Sequence, residues 1–174
     1  MTLRKKNSLS PTFKKILSGL GQCLIGVIIY YAISSYQQRH LITTGTLAPS
    51  FHLPQLQQTR WFDSKELAEK TSIIYFFAPW CQVCKLSASN LNTLDNQKLN
   101  VIMIALDYQH TEEVSQFVEK LDLSMPILLG NNTLKQQFNI SAYPTYYVLD
   151  KEQRIIGHSM GYSTELGLKL RSLQ

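Results

Sequence analysis

No acidic residue precedes Asp63, and no charged residue of either sign lies between Lys15 and Arg39. The first gap leaves Arg4, Lys5, Lys6, Lys14 and Lys15 without a nearby counter-charge. These five account for the whole formal charge of +5, because from Arg39 onward Lys and Arg balance the 12 Asp and Glu. A nucleic-acid-binding face needs surplus cations on the folded domain, and this balance excludes one. Cysteine is scarce too, with only Cys23, Cys81 and Cys84 in 174 residues. A zinc site built on Cys81 and Cys84 needs a second ligand pair at sensible spacing. None exists, since His40, His52, His110 and His158 are scattered. A c-type haem motif needs histidine at position 85, which is Lys85. Internal repeats and low-complexity tracts are absent. The length suits one globular domain plus an appendage.

The appendage is the uncharged run Ile16–Ser34, ILSGLGQCLIGVIIYYAIS. As a helix it would extend about 28 Å, close to the hydrocarbon thickness of a bilayer. Gln22 is its only strongly polar member, and Tyr30, Tyr31 and Tyr36 fall where interfacial aromatics belong. All the basic residues of this region precede it, so the positive-inside rule keeps the N-terminus in the cytoplasm and exports the remainder of the chain. Residues 1–15 are therefore read as a basic cytoplasmic tail, 16–36 as a transmembrane anchor, 37–47 as a linker and 48–174 as the exported domain. A cleaved signal peptide is the rival, with Ala32-Ile33-Ser34 as a passable small-x-small site. The apolar run exceeds the ~7–15 residues of a signal core, which favours a retained anchor. A buried core helix would explain the apolar residues but not the charge asymmetry. Cys23 reads as apolar filler in the span. Gly19 and Cys23 form a small-xxx-small pair, a weak dimerisation signal.

The exported part alternates strands and helices. A strand opens at Ala48–Leu53, with a return strand near Arg60–Phe62. Asp63 or Ser64 can cap a short helix over Lys65–Lys70. Ser72–Phe77 (SIIYFF) and Asn100–Leu106 (NVIMIAL) lack polar alternation, as expected of strands buried on both faces. A helix is expected from Cys84 to about Leu94, and another capped by Thr111, with Val114, Phe117, Val118 and Leu121 at helical spacing. Met125–Leu129 reads as a short strand and 132–138 as a helix. Thr145–Leu149 and Arg154–Ser159 form a hairpin, and Thr164–Ser172 a closing helix. Strand–helix–strand units imply parallel pairing with helices on both faces. The Asn131 and Asn139 tripeptides that match glycosylation acceptors are read as turn and loop residues. Asp107, after the second strand, is read as a loop-capping residue.

Trp80-Cys81-Gln82-Val83-Cys84 carries the chemistry. Two cysteines three apart at a strand-to-helix junction can close a disulfide within one helical turn. The first falls at the helix N-terminus, where free N–H groups and the macrodipole favour a thiolate. Thiolate is the attacking species in exchange, so Cys81 is the candidate nucleophile. Cys84, one turn inside, is the candidate resolving thiol. Lys85 reads as a solvated helix residue.

Here residues 47–174 resemble the thioredoxin superfamily. Three features carry the resemblance. They are the run Tyr75-Phe76-Phe77-Ala78-Pro79-Trp80-Cys81-Gln82-Val83-Cys84-Lys85, the later Tyr143-Pro144-Thr145 ahead of a strand, and the strand–turn–strand–helix ending. Within the superfamily the chain is similar to the membrane-tethered TlpA-like branch, and most similar there to the suppressor-of-copper-sensitivity D group. The resemblance implies an α/β thioredoxin-like fold, a central mixed sheet flanked by helices, behind an N-terminal transmembrane helix. It implies a cis peptide at Tyr143–Pro144 facing the cysteines, where a client strand could pair. Trp80, Tyr143 and Pro144 would then contact the client, and Tyr75, Gln82 and Val83 would form the surroundings of the disulfide. On residues alone, Pro144 reads as an ordinary strand-initiating proline.

The sequence departs from that pattern at three places. Tyr75 stands where thioredoxin has a buried Asp, and a phenol with pKa near ~10 cannot serve as the same base at neutral pH. Ser87 stands where TlpA-like reductases often have Glu. Gln82-Val83 replaces thioredoxin's Gly-Pro, so its potential of about −270 mV does not carry over. The resemblance implies a thiol–disulfide oxidoreductase on the periplasmic side of a bacterial inner membrane. It would exchange disulfides with exported proteins, use no dissociable cofactor, and draw on a transmembrane thiol reductase if it acts as a reductant. The alternative is a copper-handling protein that holds Cu(I) on the same two sulfurs, although no Met or His cluster adjoins them in sequence.

Overall fold

The strand runs around position 75 and position 103 organise the domain, because they alternate between two cores. In a computed structural model, described for residues 21–29, 32, 39–94 and 99–162, the chain divides into two compact units, Met1–Arg39 and His40–Gln174. In the first unit, residues 21–29 are helical (α1), and Leu24, Ile25, Val27, Ile28 and Ile29 are exposed. No helix among the described residues is long and apolar enough to cross a membrane. The expected tail (1–15), most of the 16–36 segment with Gly19, and the closing helix Thr164–Ser172 lie outside the described residues.

The second unit holds a two-stranded hairpin, β1 (His52–Pro54) with β2 (Trp61–Asp63), and a five-stranded mixed sheet. The sheet contains β3 (Ser72–Phe77), β4 (Asn100–Ala105), β5 (Ile127–Leu129), β6 (Thr145–Leu149) and β7 (Ile155–Met160) in the order β5-β4-β3-β6-β7. β3, β4 and β5 are parallel, whereas β6 and β7 run antiparallel to their neighbours. The helices are α2 (Gln82–Ser87), α3 (Thr111–Lys120) and α4 (Asn132–Gln137).

Successive strand residues point to opposite faces. Ile73, Tyr75 and Phe77, with Val101, Met103, Ala105, Tyr146 and Val148, enter one core with Cys84, Leu91, Val114 and Phe117. Ile74, Phe76, Ile102, Ile104, Tyr147 and Leu149 enter the other, with Phe51, Leu53, Phe62, Leu134 and Phe138. Both faces are therefore covered, which is why β3 and β4 show no polar alternation.

Several boundaries differ from the sequence expectation. The opening strand is short, and Phe51 is buried ahead of it. Asp63 starts a 3₁₀ turn, Ser64–Leu67, through a capping box with Glu66 rather than a helix over 65–70. His110, not Thr111, is the N-cap of α3. The stretch read as linker is seated on the domain from Leu41 onward. Leu41 is buried, the Ile42 N–H donates to the Tyr147 hydroxyl at 3.2 Å, and the Gly45 N–H donates to the Ile155 carbonyl at 2.7 Å.

This topology decides where a site can form. The C-terminal ends of parallel β3, β4 and β5 share one edge, where open α/β sheets place their ligands. Antiparallel β6 starts at that edge, with Thr145 in register with Phe76. Continuing each strand beyond that pair brings Trp80-Cys81 and Tyr143-Pro144 together.

Candidate active site

Pro79, without an N–H, cannot continue β3 as a donor, and the chain turns there into α2. Cys81 is the N-cap of α2, and its Sγ accepts the Cys84 N–H at 3.1 Å. Cys81 and Cys84 form a disulfide with Cα atoms 5.3 Å apart. Cys81 is 6% exposed and Cys84 fully buried, so outside groups reach the first sulfur only. The peptide Tyr143–Pro144 is cis. The Tyr143 carbonyl lies 3.7 Å from Cys81 Sγ, so a reduced Cys81 thiol would have an acceptor there. Trp80 is 60% exposed and stands edge-on to Tyr143, with ring centroids 5.9 Å apart. Gln82 and Val83 are exposed on α2, and Pro144 is buried.

Tyr75 and Ser87, the two positions where the resemblance would put an acid, meet each other. The hydroxyls of Tyr75 on β3 and Ser87 on α2 lie 2.6 Å apart in the core, and Ser87 Oγ also donates to the Val83 carbonyl at 3.1 Å. Ser87 spends its single proton on Val83, so Tyr75 is the donor of the pair. Burial pushes the Tyr75 pKa well above that of a free phenol. Among the described residues no carboxylate is buried; the buried polar side chains are Ser64, Ser72, Ser87, Thr145 and Ser159. The surroundings of Cys84 therefore offer hydroxyls and no base that works at neutral pH.

Asp107 does more than cap a loop. Its carbonyl accepts the Trp80 indole N–H at 2.8 Å, and its carboxylate accepts Lys135 Nζ from α4 at 2.5 Å. Burial first, then the neighbouring Asp107 carboxylate, pushes the Tyr143 pKa up. Sequence reasoning did not find Lys135, because nothing local signals a contact that depends on α4 lying beside the β4 loop. Among the described residues no three His, Cys, Asp or Glu side chains converge as a metal site would require.

Residues 44–158 match the AhpC/TSA family. The chain belongs to that family. It is 26% identical over 159 residues to the thioredoxin-like protein YneN of Bacillus subtilis, covering 87% of this chain and 93% of that one. A thiol:disulfide interchange protein of the thioredoxin family from Chlorobium tepidum superposes with a TM-score of 0.66 at 22% identity, over 76% of this chain and 96% of that one. StoA from Bacillus subtilis gives 0.62 at 20% identity, over 72% and 98%. The superpositions show a thioredoxin-like α/β fold with a central mixed sheet. The Cys81–Cys84 disulfide stands at the carboxyl edge of that sheet.

Proposed function

We propose that the chain is a membrane-tethered enzyme that exchanges disulfides with exported proteins, with Cys81 as the attacking sulfur and Cys84 as the resolving one. The observation that carries the division of labour is their difference in access, 6% exposure against none, at a helix N-cap facing the Tyr143 carbonyl. In the reducing direction the Cys81 thiolate attacks a client disulfide. A bond forms between Cys81 and one client sulfur, and the other client sulfur leaves with the electron pair as a thiolate. Cys84 then loses its proton and attacks Cys81 Sγ. The enzyme disulfide closes, the second client thiolate departs, and the client has gained two electrons. The oxidising direction is the reverse. Trp80 and Tyr143 flank the reacting sulfur, and the Tyr143-Pro144 backbone offers an extended client segment a place to pair.

Support for tethering is the uncharged Ile16–Ser34 run behind five basic residues, with residues 21–29 helical. By the positive-inside rule the basic residues stay in the cytoplasm, so this reading has the domain on the periplasmic side of an inner membrane. Sustained reduction there needs a transmembrane thiol reductase that delivers electrons to the Cys81–Cys84 disulfide. The test is trapping. Cys84→Ala removes the resolving sulfur, so clients should accumulate as mixed disulfides on Cys81 and disappear in a Cys81→Ala, Cys84→Ala control. Failure to capture any reducible adduct from cells that depend on the protein would overturn the reading.

A further inference from the structure

Trp80 adjoins Cys81 in the chain, and Tyr143 presents its carbonyl to Cys81 Sγ at 3.7 Å. Trp80 is largely exposed, and one hydrogen bond, from its indole to the Asp107 carbonyl at 2.8 Å, anchors it. The Tyr143 hydroxyl is buried with no partner in good hydrogen-bond geometry, and the nearby Asp107 carboxylate acts on it without fixing the ring by itself. The Tyr143 ring instead meets the Trp80 edge at 84° and the Lys135 ammonium, 5.6 Å from its centroid. That ammonium also contacts Asp107 Oδ2 at 2.5 Å. Asp107 has a left-handed backbone, φ 50°, and serves two partners, its carbonyl holding Trp80 and its carboxylate holding Lys135. One cation thus links both walls of the disulfide site.

We propose that Lys135 is a positioning residue for the exchange reaction: its ammonium, shared by the Asp107 carboxylate and the Tyr143 ring, holds Trp80 and Tyr143 beside Cys81 for a docking polypeptide. The Lys135–Asp107 pair is 31% and 28% exposed, and ion pairs this open to water add little to fold stability. Its consequence is therefore geometric. The ammonium polarises toward the ring face as well as the carboxylate, so a neutral side chain of similar length fills the space without fixing either wall. This assignment rests on the exchange reading for its kinetic consequence, but not for its structural one.

The experiment compares Lys135→Met and Lys135→Arg in the full chain, using insulin as the disulfide substrate and dithiothreitol as the electron source. Loss of positioning should raise KM for insulin about fivefold in K135M while kcat stays within about twofold, with K135R recovering most of the KM. Trp80 reports its own placement. In a Trp61→Phe background it is the sole tryptophan, and K135M should raise its acrylamide quenching constant about twofold with the melting temperature nearly unchanged. Unmoved quenching overturns the proposal, as does an unmoved KM in an active enzyme. So does a K135M loss carried wholly by melting temperature. If the parent chain fails to reduce insulin while quenching still responds to K135M, the exchange reading fails and the positioning stands.

Discussion

Replacing Tyr75 with Phe separates the structural role of the buried hydroxyl pair from a chemical one. Tyr75 donates to Ser87 Oγ at 2.6 Å, and Ser87 in turn donates to Val83. Tyr75→Phe removes one donor and leaves Ser87 bonded to the helix, so no buried proton is orphaned. The cost is that of one hydrogen bond, about 1 kcal/mol, or roughly 3–5 °C in melting temperature for a domain of this size. Ser87→Ala is the harsher change, because it leaves the Tyr75 hydroxyl as a buried unpaired donor, at about 1–3 kcal/mol. Both costs are read by thermal unfolding of the oxidised protein, followed by circular dichroism. Rates of mixed-disulfide resolution are read by stopped flow between about pH 6 and 9, using a chromogenic disulfide. A general base contributes about 10²–10⁴-fold; a phenol pushed above its ordinary range by burial supplies none of this near neutrality. The resolution rate of Tyr75→Phe should therefore stay within about threefold of the parent at every pH. A hundredfold loss near neutral pH, or Tyr75→Phe proving more destabilising than Ser87→Ala, would refute the reasoning.

Burial and close packing set two further outcomes. Burial, partly offset by the Ile42 N–H, holds the Tyr147 pKa at about 12. The folded state thus keeps a proton that the unfolded phenol releases from about pH 10, so this stability is full below about pH 10 and fades as pH rises through about 12. Urea titrations across that window should show a shallower decline in Tyr147→Phe than in the parent; parallel declines would contradict the assignment. At Gly130 an added Cβ would sit 2.7 Å from Leu106 Cδ2, 2.8 Å from Ile104 Cγ2 and 2.9 Å from the Ala105 carbonyl. The last is sheet backbone and cannot swing away, so Gly130→Ala should cost about 1–3 kcal/mol in denaturant unfolding.

The parts of this molecule legible in the sequence are those set by local pattern. SIIYFF and NVIMIA announce strands because continuous apolar runs require cover on both faces, and both faces are covered. The cysteine spacing and the Tyr143-Pro144 resemblance led to the disulfide and the cis bond. Helix extent was harder to read. The single helix expected from Cys84 to Leu94 is an α-helix over Gln82–Ser87 followed by a 3₁₀ helix over Ala88–Thr93. Ser87 bonds back to Val83 and across to Tyr75, and Ser and Asn side chains compete with regular helix bonding. Met125 and Pro126 fall outside β5 although the Pro126 carbonyl accepts the Met103 N–H at 3.0 Å, because proline has no N–H to return. The Tyr75–Ser87 and Asp107–Lys135 pairs span sequence separations of 12 and 28. Such contacts are products of tertiary packing, and no periodicity encodes them.

Cys81 is the sulfur that should meet the client, and its chemistry can be read directly. Brief treatment of the reduced protein with limiting iodoacetamide at neutral pH, followed by peptide mapping, compares the two thiols. Cys81 at the N-cap should carry nearly all the label while buried Cys84 stays unmodified. Equal labelling of the two, or label found first on Cys84, would contradict the assignment of the attacking sulfur.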